Sequence, residues 1–311
     1  MSKVQLTRSE PVIAPAAQST APALSSRERL GVGLALVALY IIWGSTYLGM
    51  RIAIESFPPF LMAGIRFICA GLLLYAFLRL RGHAAPTGKQ WGGATIIGVL
   101  MLVCSNGMVS FAEQWVATGI VAIALAAVPL YSALIFGLLG RWPSRFEWLG
   151  LGLGFVGVIM LNLEHGLWTN PQGALALLIA PFCWSLGSAL SSRFPMASGL
   201  MASATQMLGG GVALLLLGVG LGEHISGWPS TRSWLAMLYL VLIGSLVGYT
   251  AYGYLLRRVR PALATSYAYV NPIVAVGLGA LMAGEQIAPV GIIAMLIILT
   301  GVALVSLRKR R

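Results

Sequence analysis

Ten apolar stretches alternate with short polar segments along the chain, at about 31–54, 60–80, 91–112, 117–140, 147–163, 172–192, 199–221, 233–256, 262–283 and 287–307. Most approach the roughly 20 residues that a helix needs to cross a bilayer. Strand spans are excluded, because an open strand edge in lipid leaves backbone groups unpaired. The pattern predicts an all-α integral membrane protein with ten transmembrane helices. Residues 1–30, rich in Ala, Pro and Ser, read as a disordered cytoplasmic tail. They do not read as a signal peptide, since no apolar core follows Lys3 and Arg8 before residue 30. Residues 308–311 form a basic cytoplasmic C-terminus.

Charge placement sets the orientation. With the N-terminus inside, 17 of the 20 Lys and Arg residues fall on the inner side, including Arg79, Arg81, Lys89, Arg141, Arg145 and Arg257. Arg232 alone falls in an outer loop, while Arg51 and Arg66 lie within apolar segments. The positive-inside rule therefore predicts that both termini are cytoplasmic. It also explains the net charge of +12 without nucleic acid, because the basic residues sit between apolar runs rather than beside aromatic stacking platforms. Composition agrees: 9% of residues are charged and 58% hydrophobic, against about 25% charged in a soluble domain.

The two halves echo each other. Trp43-Gly44-Ser45 is matched by Trp184-Ser185, and Leu61-Met62-Ala63 by Leu200-Met201-Ala202. Ala127-Val128-Pro129 is matched by Val270-Asn271-Pro272, and Gly157-Val158 by Gly301-Val302. The offsets stay between 139 and 144 residues and keep their order. A duplication follows, with repeats at 31–165 and 166–307. Five helices per repeat is an odd number, so the second copy enters the membrane inverted. Inverted repeats around a midplane site are a transporter architecture.

Tyr40-Ile41-Ile42-Trp43-Gly44-Ser45-Thr46-Tyr47 and the run Pro261-Ala262-Leu263-Ala264-Thr265-Ser266-Tyr267-Ala268-Tyr269-Val270-Asn271-Pro272 carry a resemblance, together with Arg66 and Gly284-Glu285. On these residues the chain, over about 31–307, resembles the EamA-type transporters of the drug/metabolite transporter superfamily. The resemblance implies ten helices in two inverted five-helix repeats, a bacterial cytoplasmic membrane, and export of small metabolites, often amino acids or related compounds. It fixes no single substrate.

Several polar and aromatic residues stand out against the apolar background. Tyr40, Trp43 and Tyr47 share one helix face at i, i+3, i+7. Trp43 and Trp184 lie near the midplane, whereas tryptophan favours membrane interfaces. Ser245, Tyr249 and Tyr252 share a face, as do Thr265, Tyr269 and Pro272. Their hydroxyls serve either a polar solute or neighbouring helices; the cavity is the preferred reading for Tyr249 and Tyr269, helix contacts for Ser245 and Thr265. Asn106 and Asn271 face the bundle interior, and the Asn271 amide either lines the path or repairs the kink at Pro272. Pro129 and Pro272, at equivalent positions, are candidate hinges. Arg66, in mid-helix, costs about 2.5–3.5 kcal/mol on insertion scales. It is read as holding a carboxylate substrate or pairing with Glu113 or Glu285. Arg51 is read as pairing locally with Glu55.

The substrate-binding set is therefore Trp43, Tyr47, Arg66, Asn106, Trp184, Tyr249 and Tyr269, with Glu113 and Glu285 as candidate ion-pair or coupling groups. No cofactor, metal or catalytic residue is indicated. Cys69, Cys104 and Cys183 have no metal-type spacing, and the stretch from Gly82 to Lys89 lacks the spacing and the Ser or Thr of a phosphate loop. A lipid-modifying membrane enzyme would need an intramembrane acid, histidine or metal cluster, and a regulatory partner would need larger loops. The partners are a small-molecule substrate and the lipid bilayer. Gly150, Gly154 and Gly157 read as close-packing sites, within the bundle in preference to a homodimer. The reading is a secondary exporter working by alternating access, with a uniporter or importer of the same fold as the alternative.

Overall fold

The computed structural model describes residues 25–116, 118–161, 170–283 and 289–307, all organised around helices. Residues 1–24, Glu285 and 308–311 lie outside the described residues. Six helices are long and apolar enough to cross a membrane: α1 (Ser26–Ala53), α2 (Pro59–Leu80), α3 (Gly88–Ala112), α7 (Pro171–Leu190), α8 (Leu200–Gly220) and α9 (Thr231–Arg258). The other apolar stretches fold as shorter helices. They are α4 (Thr118–Leu125), α5 (Val128–Leu138), α6 (Arg145–Leu161), α10 (Pro261–Ala264), α11 (Tyr267–Ala283) and α12 (Pro289–Leu307).

The helix starts follow local chemistry. Ser25 accepts from the Glu28 N–H while Glu28 bonds back to Ser25, a capping box that starts α1 at Ser26. The polar residues 26–30 are thus helical, which shortens the expected tail. Thr87 with Gln90 and Ser144 with Glu147 make the same reciprocal pairs at the starts of α3 and α6. The carboxylate of Glu223 accepts from the Phe60 and Leu61 N–H groups, so α2 is capped from the far half of the chain.

Two expected spans are broken. The stretch 117–140 divides at Ala126–Ala127, just before Pro129, whose ring nitrogen has no hydrogen to donate. The stretch 262–283 divides at Thr265–Ser266, and Pro272 lies inside α11 beyond the break.

Helices α3 and α9 each contain a segment of widened i→i+5 turns, at Val99–Gly107 and Leu240–Val247. Such segments are rare and concentrate at functional sites. Residues 99 and 240 stand 141 apart, within the range of the sequence echoes.

Two pairs of helices that lie far apart in sequence pack side by side. Helix α2 packs along α8, and α6 packs along α12. The second pair meets through glycine. A Cβ built on Gly150 would stand 2.7 Å from the Gly301 carbonyl oxygen, and one on Gly301 would stand 2.6 Å from that of Gly150. Gly157 would likewise meet the Ala294 carbonyl at 2.9 Å. These glycines serve contacts within the chain, where close backbone approach replaces the missing hydrophobic drive in lipid.

Gly301→Ala is expected to push α6 and α12 apart and lower the thermal unfolding midpoint of the detergent-solubilised protein, by the equivalent of about 1–3 kcal/mol. Gly152→Ala, where a Cβ meets nothing within 4 Å, is the control and should not lower it. Equal midpoints for both would refute the close-packing role.

Candidate functional site

Five of the long helices, joined by α4, α5 and α11, surround a central cavity. Trp43, Thr46, Tyr47 and Met50 face it from α1, at i, i+3, i+4 and i+7. Arg66 and Phe67 come from α2, Ser105 and Asn106 from the widened part of α3, Trp184 from α7, Gly244 and Tyr249 from α9, and Tyr267 from α11. The widened turns thus supply lining residues from both halves.

Aromatic rings make one wall. Trp43 is its hub, with ring centroids 5.3 Å from Trp184, 5.4 Å from Tyr252 and 4.6 Å from Tyr267. Trp184 lies 5.2 Å from Tyr252, which closes the cluster. The Trp43 indole N–H donates to the Gly244 carbonyl at 3.1 Å, across the widened turn of α9.

Polar groups line the cavity as well. Arg66 is 2% exposed, yet its guanidinium is only partly satisfied. Nε donates to the Ser245 hydroxyl at 2.6 Å, and the cation lies 4.8 Å from the Phe67 ring centroid. Arg66 Nη1 has no hydrogen-bond partner among the described residues, and neither do Trp184 Nε1 and Asn106 Oδ1. Buried polar atoms are nearly always paired. Here two free donors and one free acceptor line a single cavity. Ser245, expected to serve helix contacts, bonds the neighbouring α2 through Arg66 and thereby orients the arginine.

Glu113 ends α3 one turn beyond Val109. It is fully buried, and both carboxyl oxygens lack a hydrogen-bond partner. The expected Arg66–Glu113 pair is not formed, because Arg66 is turned towards Ser245. Arg51 also departs from expectation. Its guanidinium donates to the Glu113 main-chain carbonyl rather than to Glu55, which faces Arg232 at 3.9 Å. Helix α3 passes beside α1 at this point, a neighbour that sequence spacing cannot reveal.

Tyr269 is placed away from the cavity. Its hydroxyl donates to the Leu151 carbonyl of α6 at 2.9 Å, and its ring packs in a separate apolar cluster with Val158 and Ile298. The break at Thr265–Ser266 sets the rotation of α11 so that Tyr267 faces the cavity. A residue two positions on points about 200° away. Asn271 Nδ2 lies 3.4 Å from the Tyr47 hydroxyl, so this amide reaches α1 rather than repairing the Pro272 kink. Thr46 and Met50 were findable by extending the Trp43–Tyr47 face; Tyr267 was not, since the break carries no periodic signal.

Residues 29–163 and again 171–307 match the EamA-like transporter family. The chain is 46% identical, over 284 residues, to YedA, an uncharacterized inner membrane transporter of Escherichia coli (strain K12), covering 91% of this chain and 93% of that protein. It is 27% identical over 283 residues to Protein PecM of Dickeya dadantii (strain 3937), covering 86% and 92%. A solved crystal structure superposes with a TM-score of 0.76 at 21% identity, over 89% of this chain and 98% of the other, which speaks to the fold.

Ser245→Ala removes the acceptor from a buried charged donor. It is expected to lower the thermal unfolding midpoint by the equivalent of about 1–3 kcal/mol. Ser192→Ala, which loses only a bond to the Ala189 carbonyl of its own turn, should change it little. Superimposable melting curves for S245A and the wild type would show that the hydroxyl does not support Arg66.

Proposed function

The chain belongs to the EamA-like transporter family, and from that premise we propose that it is a secondary transporter that exports small metabolites, amino acids or related compounds, by alternating access. It is a multi-pass inner membrane protein. One observation carries the substrate reading: the free Arg66 Nη1, Trp184 Nε1 and Asn106 Oδ1 face one cavity. A solute bearing both a carboxylate and a donor group would satisfy all three and remove the desolvation cost of leaving them unpaired. Trp43, Tyr47 and Tyr249 complete the proposed binding wall, while Tyr269 supports it from behind through α6.

In this reading ten helices form two inverted five-helix repeats, 31–165 and 166–307, with both termini inside. Three observations support it: two consecutive family matches, widened turns at equivalent positions in α3 and α9, and the pairing of α2 with α8 and of α6 with α12. Alternation would come from one repeat rocking against the other, with the breaks near Pro129 and before Pro272 as hinges. Glu113 is the proposed coupling carboxylate, poised to draw Arg66 from Ser245 when it carries a charge.

Cells overproducing the protein are compared with cells carrying a Trp43→Ala, Trp184→Ala variant at matched membrane abundance. Medium metabolites are profiled and growth is scored on toxic amino-acid analogues. One compound class should accumulate outside only with the intact protein. Wild-type profiles that match the empty control would overturn export, and uptake of the same compounds would favour an importer. Reporter fusions at residues 82–86 and 224–228 should report opposite sides; the same side for both would refute the ten-span arrangement.

A further inference from the structure

A second cavity lies beyond the aromatic wall. Tyr249 lines both cavities, and Tyr252 lines the second while packing on Trp43 and Trp184. One layer of aromatic rings therefore separates the two spaces. Hydrogen bonds hold that layer in place: Tyr249 donates to Gln206 Oε1 at 2.9 Å, and the Tyr252 and Ser188 hydroxyls are 2.7 Å apart.

The mouth of this cavity carries Arg141, from the end of the first half's α5, and Arg257, from the end of α9. Both are exposed, so the space reaches the surface. Among the described residues, no carboxylate lines it. Neither guanidinium has a hydrogen bond or ion pair among the described residues, whereas nearby Arg260 is bonded to Glu147. Arg257 reaches into the space beside Gly253. Its Nη1 would stand 3.6 Å from a Cβ placed there, an ordinary contact distance. Ser203 adds a hydroxyl to the wall, whereas those of Ser191 and Ser192, also on the wall, donate to the Ser188 and Ala189 carbonyls.

Two unpaired cations at the rim of one concave, low-dielectric space sum their fields inside it. Generic positive-inside charge does not require them to converge on a cavity, or to lack acidic neighbours there. We propose that this cavity is an anion-receiving vestibule, in which Arg141 and Arg257 draw small soluble acids, through carboxylate or phosphate oxygens, towards the Tyr249–Tyr252 layer. The onward passage into the central cavity rests on the transport reading; the vestibule itself does not.

The test reads the charge preference at the wall directly. Ser192→Cys is introduced into the full chain in phosphatidylcholine nanodiscs. It is modified by methanethiosulfonates of matched size carrying either a sulfonate or a trimethylammonium group. Labelling of the unmodified chain, with its own cysteines, is subtracted, and rates are scaled to those of a free thiol. The sulfonate should be favoured on the order of tenfold. The preference should vanish in S192C/R141Q/R257Q and shrink in 1 M salt, where screening acts over only about 3 Å. A ratio equal to that of the free thiol, or one unmoved by the two arginine changes, overturns the proposal. Repeating the labelling in phosphatidylglycerol separates the two sources of anionic oxygen. A preference that persists supports soluble acids, whereas one abolished there means that lipid phosphate occupies the arginines, which overturns the soluble-acid reading. No transported compound is needed, so an unproductive export screen leaves this result standing.

Discussion

Hydrocarbon offers no hydrogen bonds, so each polar group that enters a bilayer must find its partner within the chain or remain unsatisfied at a cost of several kcal/mol. Almost every feature of this molecule answers that constraint. The backbone is helical, helix starts are closed by Ser25, Thr87 and Ser144, and Glu223 caps α2 from the other half. Hydroxyls inside the helices turn back to carbonyls of the preceding turn, as Ser188, Thr205 and Thr250 do. Against such thorough pairing, the buried atoms left without partners acquire meaning. Those of Arg66, Asn106 and Trp184 meet in one cavity, and that of Asn271 belongs to an amide reaching Tyr47 on its wall.

The same constraint explains how the cavity can exist at all. Apolar side chains gain little from leaving lipid for one another, so the helices must be held by close backbone approach and by polar contacts. The Gly150–Gly301 contact supplies the first at one end of the bundle, remote from the aromatic wall. Near the cavity glycine again allows close approach, as at Gly98 against the Gln206 carbonyl, and polar contacts join it: Trp43 to Gly244, Arg66 to Ser245, Tyr249 to Gln206. Such bonds can exchange partners without separating the helices that carry them.

Periodicity and charge made much of this legible. Apolar runs marked the helices, and the shared offset of Trp43 and Trp184 pointed to residues that the structure brings to a single aromatic cluster. Arg66 stood out because a mid-helix cation is rare. The departures have a common cause, which is that contacts between distant segments leave no periodic trace. Arg51 was assigned to Glu55 on its own helix face, while the α3 terminus offered a carbonyl that spacing could not show. Tyr269 was chosen over Tyr267 because an unbroken helix was assumed through Thr265–Ser266; a break of two residues turned the other tyrosine inward. The widened turns of α3 and α9 had no composition of their own, yet they place Asn106 and Gly244 at the cavity.

The aromatic wall also constrains what any passage must involve. Tyr249 and Tyr252 are held by side-chain hydrogen bonds to neighbouring helices, Tyr249 by Gln206 on α8 and more weakly by Met101 on α3, Tyr252 by Ser188 on α7. Both rings sit on α9 beyond its widened turns, so a small change in that helix's rotation moves them together. Trp43 is tied to the widened turn itself through the Gly244 carbonyl. In the proposed transport reading, a ligand that engages Trp43 would act on the segment that carries the tyrosines, and the proposed binding wall and barrier would be parts of one helix assembly. Equal affinity for the closed and open arrangements would shift nothing, however tight the binding. Whatever opens this layer must bond differently to its two positions, and the unpaired Arg66, Trp184 and Asn106 atoms beside it are where such a difference can arise.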